Sequence, residues 1–125
     1  MPTPEPIRVA VVGATGYAGA ELIRYLARHP FVRLTAVTSE QSAGKALADV
    51  LPSLRNKVDL PLAAFDAARV ADAADVAFTA LPLGTSAPGV ASLLERGLRV
   101  VDLGADFRLR DPRERPRRLL GRVVR

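Results

Sequence analysis

Apolar residues along this chain follow two rhythms: short unbroken runs, and longer segments with helical spacing. Residues 7–12, "IRVAVV", are a β-branched run without polar alternation, the pattern of a strand buried on both faces. After a glycine-rich break, residues 17–30, "YAGAELIRYLARHP", predict a helix. Leu22, Ile23 and Leu26 share one face, Arg24 and Arg28 lie away from it, and Pro30 stops it. "VRLTAVTS", 32–39, reads as a second strand, followed by the turn-like "EQSAG". Residues 46–65 stay open: "ALADVLPSL" suits a short helix, and "VDLPLAAF" suits a strand or an extended connection. "DAARVADA" predicts a helix opening at Asp66, and "DVAFTAL" a buried strand ended by Pro82. "TSAPGVASLLERG" predicts a helix from Ser86 or Ala87 to a glycine stop at Gly97, and "LRVVDLG" a last buried strand.

Strands that alternate with helices, with no hairpin signal between them, imply right-handed crossovers and a parallel sheet. The expected fold class is therefore α/β, a doubly wound parallel sheet of Rossmann type. No internal repeat interrupts it and no linker precedes residue 110. Residues 1–112 are expected to form one incomplete dinucleotide-binding domain, and residues 113–125 a basic tail, disordered or out of frame.

Charge refines this division. The net charge is +5, yet residues 1–112 balance 12 cationic against 12 anionic side chains. The excess lies in "RERPRRLLGRVVR", with six arginines and one glutamate. Such a tail attracts phosphates without specificity, but it carries no interleaved aromatics and no groove-reading motif, so no nucleic-acid partner is expected. The chain has no cysteine and one histidine, which excludes disulfides and thiolate sites and argues against a metal centre. Without a membrane-length apolar run or a signal-peptide pattern, no membrane partner is expected and the expected location is cytoplasmic.

The break after the first strand carries the chemistry. Gly13, Gly16 and Gly19 give G-x-x-G-x-x-G spacing between a strand and a helix. One glycine permits the tight turn, another lets a pyrophosphate approach the backbone, and the third lets helix and strand pack closely. The helix N-terminus then offers free amides to the phosphates. A glycine-rich turn without a ligand is the plain alternative, and the βα units downstream favour the nucleotide. At the end of the second strand, Glu40 suits the 2′-hydroxyl of NAD, whereas Thr38, Ser39 and Lys45 suit the 2′-phosphate of NADP. Glu40 and Lys45 read equally well as solvated loop charges, so the residues leave the cofactor open. His29, at a helix end, favours an imidazolium and is not expected to act as a base. Tyr25 and Phe31 are expected to be packing residues.

Three stretches, "VAVVGATGYAGAELIRYLARHP", "TSEQSAGK" and "VVDLGADFRLRDP", together resemble the N-terminal part of the N-acetyl-γ-glutamyl-phosphate reductases. Aspartate-semialdehyde dehydrogenase is the runner-up and suits "GADFRL" less well; a stand-alone dinucleotide module without catalysis is the alternative from another class. The resemblance implies an NADP-dependent oxidoreductase of arginine biosynthesis. In that family a cysteine thiolate attacks the acyl phosphate, phosphate leaves, and NADPH delivers hydride to the resulting thioester to release the semialdehyde. It further implies that Thr15, Gly16, Tyr17 and Ala18, within the Gly13–Gly19 turn, hold the pyrophosphate. Ser39 is implied near the adenosine ribose, and Glu40 stands where many relatives have arginine, so NAD stays open beside NADP. In "ALPLGTS", Leu83 replaces a common histidine, while Gly84 and Ser86 still fit the cofactor approach. Arg108 is implied to hold the substrate phosphate, and it reads alternatively as a surface partner of Asp106 or Asp111.

The resemblance also implies an acyl-phosphate substrate and a homo-oligomer for the whole enzyme. The family's cysteine is absent from these 125 residues. The pattern departs from the family after Pro112, in a chain using ten arginines to two lysines up to that point. A truncated or frame-shifted fragment, inactive by itself, is the expectation that follows.

Overall fold

The computed structural model describes residues 5–81 and 86–103. Strand β1 (Ile7–Val12) leads into helix α1 (Tyr17–Arg28) and strand β2 (Val32–Thr38). A four-residue helix α2 (Leu47–Val50) and a 3-10 turn (Pro52–Leu54) precede the short strand β3 (Leu62–Ala63). Helix α3 (Ala67–Ala73), strand β4 (Val76–Thr79), helix α4 (Ser86–Glu95) and strand β5 (Arg99–Asp102) complete the described elements. The five strands pair in parallel in the order β3-β2-β1-β4-β5. The chain thus reverses direction of winding between β1 and β4, as a doubly wound α/β sheet requires.

Strand β1 shows why its run is continuous. Val9 and Val11 enter one core with Ile23 and Leu26 of α1 and with Leu47, Leu54 and Leu62. Ala10 and Val12 enter the other with Val70, Val90, Leu93 and Leu94. Alternate side chains leave opposite faces of a strand, and from Val9 to Val12 both faces are covered, so these four positions are apolar. Where β1 meets β2 the register slips between Val9 and Ala10. Thr35 is the extra residue, and its hydroxyl donates to the Val9 carbonyl at 3.3 Å.

The helix boundaries have local causes. Asp66 caps α3, its Oδ1 accepting from the amides of Ala68 and Arg69 at 3.0 and 3.3 Å. Gly97, at φ +83°, ends α4. The amides of Gly97 and Leu98 return to the carbonyls of Leu94 and Leu93, the paired bonds of a left-handed helix stop. The open segment 46–65 resolves into pieces too short for a pattern. Pro52 follows α2 within two residues, and β3 pairs only with Val37 and Thr38 at the sheet edge.

Two expectations fail. Tyr25 and Phe31 are 71% and 51% exposed and do not pack in the core. On α1, Ile23 and Leu26 take the sheet-facing stripe, and Tyr25 sits about 200° around the helix from Ile23; Phe31 lies in the turn before β2. His29 caps the C-terminal end of α1, and its Nδ1 accepts a hydrogen bond from the Phe31 amide at 3.1 Å.

At the opposite end of the sheet from the glycine turn, Arg8 and Asp75 join the starts of β1 and β4. The Arg8 guanidinium donates to Asp75 Oδ1 at 3.0 Å and its backbone amide donates to Oδ2 at 3.1 Å. Those bonds hold the Asp75 carboxyl below the usual carboxylate range and raise the guanidinium of Arg8.

Candidate functional site

A crevice forms where the carboxyl ends of β1 and β4 diverge, because the chains leaving those strands turn to opposite faces. In this chain Gly13 follows β1 and Ala80 follows β4, and the two meet in direct contact. A side chain at Gly13 would place its Cβ 2.5 Å from the Ala80 carbonyl oxygen, and its φ of +88° is one that other residues rarely adopt. A Cβ at Gly19 would collide with the Gly13 carbonyl, so the first turn of α1 can lie this close only as glycine. Gly16 differs: nothing in the protein approaches its missing Cβ closer than 3.9 Å. Packing therefore demands Gly13 and Gly19 and leaves Gly16 without a demand from the fold.

Gly16 is the N-cap of α1, in extended conformation. No side chain caps it, and the first turn contains no acid. The amides that open this helix are thus free to meet an anion, to which the helix dipole adds a partial positive charge.

A cavity of about 790 Å³ opens over this turn. Gly13, Thr15, Gly16, Tyr17 and Ala18 form one wall. Ser39, Glu40 and Gln41, after β2, form a second. Phe65, Ala80 and Leu81 join Pro88, Gly89 and Ser92 of α4 to close the rest. Glu40 is the one carboxylate among these residues, and no lysine or arginine lines the cavity among the described residues. Its size falls in the range of about 300–1,000 Å³ common to cofactor sites.

Hydroxyls and amides organise the second wall. Ser39, only 4% exposed, places its Oγ 2.9 Å from Thr15 Oγ1 and accepts from the Ser42 amide at 3.2 Å. The backbone amides of Gly13 and Ala14 donate to the Thr38 carbonyl, which locks the glycine turn to the end of β2. Glu40 Oε1 accepts from the Phe65 amide at 2.9 Å, so this carboxylate is not a free loop charge.

The structure therefore brings together Gly13, Thr15, Gly16, Tyr17, Ala18 and Ser39 around one cavity, with Gly19 packed beneath it. Thr38 is buried behind the wall, and Lys45 is not among the lining residues. Gly84, the side chain of Ser86, and Arg108 lie outside the described residues, as does the tail 113–125. Sequence reasoning missed Phe65, Gln41, Ala80, Leu81, Pro88, Gly89 and Ser92. The strand ending at Pro82 was a signal for Ala80 and Leu81, since ligands sit beyond strand carboxyl ends. Among the described residues no group of three or more His, Asp or Glu converges on a metal position, and no helix is long and apolar enough to cross a membrane.

The family model for the semialdehyde dehydrogenase NAD-binding domain matches residues 8–124. An N-acetyl-gamma-glutamyl-phosphate reductase from Geotalea daltonii is 51% identical over 108 residues, 86% of this chain and 31% of that protein. A second, from Heliobacterium modesticaldum, is 55% identical over 104 residues, 83% of this chain and 30% of that protein. The chain thus spans about a third of the length of these relatives. Among solved structures, an aspartate semialdehyde dehydrogenase from Candida albicans, determined with NADP, superposes with a TM-score of 0.75 at 27% identity. That match covers 85% of this chain and 32% of the other.

Proposed function

The chain belongs to the semialdehyde dehydrogenase family, matching its NAD-binding domain, and from that premise we propose that it holds the nicotinamide dinucleotide of an N-acetyl-γ-glutamyl-phosphate reductase. One observation carries the reading: an uncapped α1 N-terminus, with a glycine the fold does not require, opens into the cavity at the β1–β4 switch point. The backbone amides from Gly16 to Gly19 and the Thr15 hydroxyl take the pyrophosphate. Gly13 and Gly19 let the turn and helix approach closely enough to present those donors. Ser39 is assigned to the adenosine ribose, and the motif resemblance assigns Gly84 and Ser86 to the rest of the cofactor.

NADP is the proposed form, supported by the three motif stretches; NAD is the alternative. When bound, the nicotinamide supplies or accepts a hydride. The residues of this chain bind and orient it against an acyl-phosphate substrate, whose phosphate Arg108 is proposed to hold through its forked guanidinium. The proposal takes residues 1–112 as the dinucleotide domain, the whole enzyme as a cytoplasmic homo-oligomer, and the reaction as reduction of N-acetylglutamyl 5-phosphate to its semialdehyde. Aspartate-semialdehyde dehydrogenase is supported as a structural relative at 27% identity, against 51% and 55% for the reductases named above.

Titration of the 125-residue chain with NADPH and with NADH tests the reading. Saturable binding that is lost when Gly16 is replaced supports it. No saturable binding to either dinucleotide overturns it.

A further inference from the structure

We propose that Phe65 is the platform for the adenine ring in this cavity and that Glu40 is the residue that positions it; the inference rests on the dinucleotide reading above. Phe65 falls between elements. Strand β3 ends at Ala63 and α3 begins at Ala67, so no ladder or helix holds its backbone. Two contacts from the end of β2 hold it instead. The Ser39 amide donates to the Ala63 carbonyl at 2.9 Å, and the Phe65 amide donates to Glu40 Oε1 at 2.9 Å.

The ring so held is half-buried. It packs against the core beneath α4, with Cε2 and Cζ where a methyl group at Gly89 would lie 3.7 and 3.8 Å away. Leu81, Pro88 and Gly89 line the cavity beside it and make an apolar corner, while Glu40 and Gln41 line the polar wall. A pyrophosphate at the N-terminus of α1 sends the adenosine half toward the end of β2, because the ribose of such a dinucleotide lies there. The base beyond that ribose reaches the apolar corner. A purine presents apolar faces and a polar edge, which matches a ring wall bordered by a carboxylate and an amide. Every base has such a face, and stacking on an aromatic side chain strengthens binding by roughly tenfold or more.

This assignment gives Glu40 a different task from choosing between ribose forms. As a hydrogen-bond acceptor for Phe65 it is replaceable by glutamine, whose amide oxygen also accepts. As a charge acting on a 2′-phosphate it is not.

The test uses the 125-residue chain with ring-labelled phenylalanine and ADP as the probe. The ring signal that disappears in Phe65→Leu is expected to move upfield when ADP saturates the wild-type chain. Phe65→Ala is expected to weaken ADP about tenfold or more, and Phe65→Tyr to stay within about threefold of wild type. Glu40→Ala is expected to weaken NADH and NADPH by similar factors, and Glu40→Gln to restore both. A Phe65 signal unmoved at ADP saturation overturns the proposal. So does a Phe65→Ala chain that binds ADP as wild type does. A Glu40→Gln chain whose NADPH affinity rises tenfold while its NADH affinity stays constant overturns the positioning role. A wild-type chain that binds neither NADH nor NADPH overturns the dinucleotide reading and this inference with it.

Discussion

The hydroxyls of Thr15 and Ser39 lie 2.9 Å apart, joining the glycine turn to the end of β2. Ser39 Oγ also accepts from the Ser42 amide. Two hydroxyl protons serve one mutual bond, so one proton remains for the cavity that both residues line. If Ser39 donates, Thr15 presents its proton toward the turn; if Thr15 donates, Ser39 presents its own toward the ribose side. The pair should therefore act as a unit. Thr15→Ala and Ser39→Ala are each expected to weaken NADPH binding by roughly 1 kcal/mol, and the double variant by less than their sum. Calorimetric titration of the four proteins checks this, and strict additivity would show the two hydroxyls acting independently.

The three glycines should separate into two kinds. Gly13→Ala must resolve a φ of +88° and an overlap with the Ala80 carbonyl, and Gly19→Ala an overlap with the Gly13 carbonyl. Each is expected to cost about 2–4 kcal/mol of stability. Gly16→Ala has room within the protein and should melt within about 1 kcal/mol of wild type. Its effect is expected on dinucleotide binding instead. Chemical denaturation together with titration measures both quantities on each variant.

This separation was only half legible in the sequence. The spacing of Gly13, Gly16 and Gly19 marks a turn that needs glycine, but it does not say which positions the protein itself requires. That depends on Ala80, which is 67 residues along the chain from Gly13 and adjacent only because β4 pairs with β1. Strand β1, the Asp66 cap and the Gly97 stop were legible because each depends on residues within a few positions. Strand β3 was not, since two paired residues at a sheet edge leave no period to read. Glu40 looked like a ribose ligand or a free charge because its partner, the Phe65 amide, is 25 residues away and carries no side-chain signature. Aromatic character suggested that Tyr25 and Phe31 pack inside, whereas the phase of α1 turns Tyr25 outward.

Asp66 offers a local test of the fold. Its carboxylate satisfies two of the amides that open α3, and α3 with its C-cap carries Val70 and Ala74 into the core. Asp66→Ala is expected to destabilise the chain by about 1 kcal/mol, and Asp66→Ser by less. Thermal or urea unfolding followed by circular dichroism reads the difference.

Acid should loosen the opposite end of the sheet. The Asp75 carboxyl is held below its ordinary range by the guanidinium and backbone amide of Arg8. The folded state therefore binds fewer protons there than the unfolded state. The pair stabilises the fold above the unfolded carboxyl value of about 3.9, and the contribution fades as pH falls through the folded value. Both side chains are about half exposed, so salt should screen the effect. Asp75→Asn is expected to flatten the melting temperature between about pH 5 and pH 2 relative to wild type, most clearly at low ionic strength. Parallel pH profiles of the two proteins would show the Arg8–Asp75 bond to be inert if they coincided.

Binding and turnover should part company in these 125 residues. Reduction of an acyl phosphate through a covalent acyl group needs a nucleophile beside the nicotinamide and a base to activate it. The chain holds no cysteine. Among the hydroxyls of the cavity, Ser39 is bonded to Thr15 and the Ser42 amide, and Ser92 donates to the Pro88 carbonyl. The one histidine, His29, caps the C-terminal end of α1. Twelve residues of helix separate it from the glycine turn, a distance of roughly 18 Å. The expected outcome is saturable dinucleotide binding without oxidation of NADPH in the presence of N-acetylglutamyl phosphate. Rates at the buffer blank accompany this prediction. Turnover that survives repurification and falls with Thr15→Ala or Gly16→Ala would place a nucleophile in this chain that its thiol-free composition gives no reason to expect.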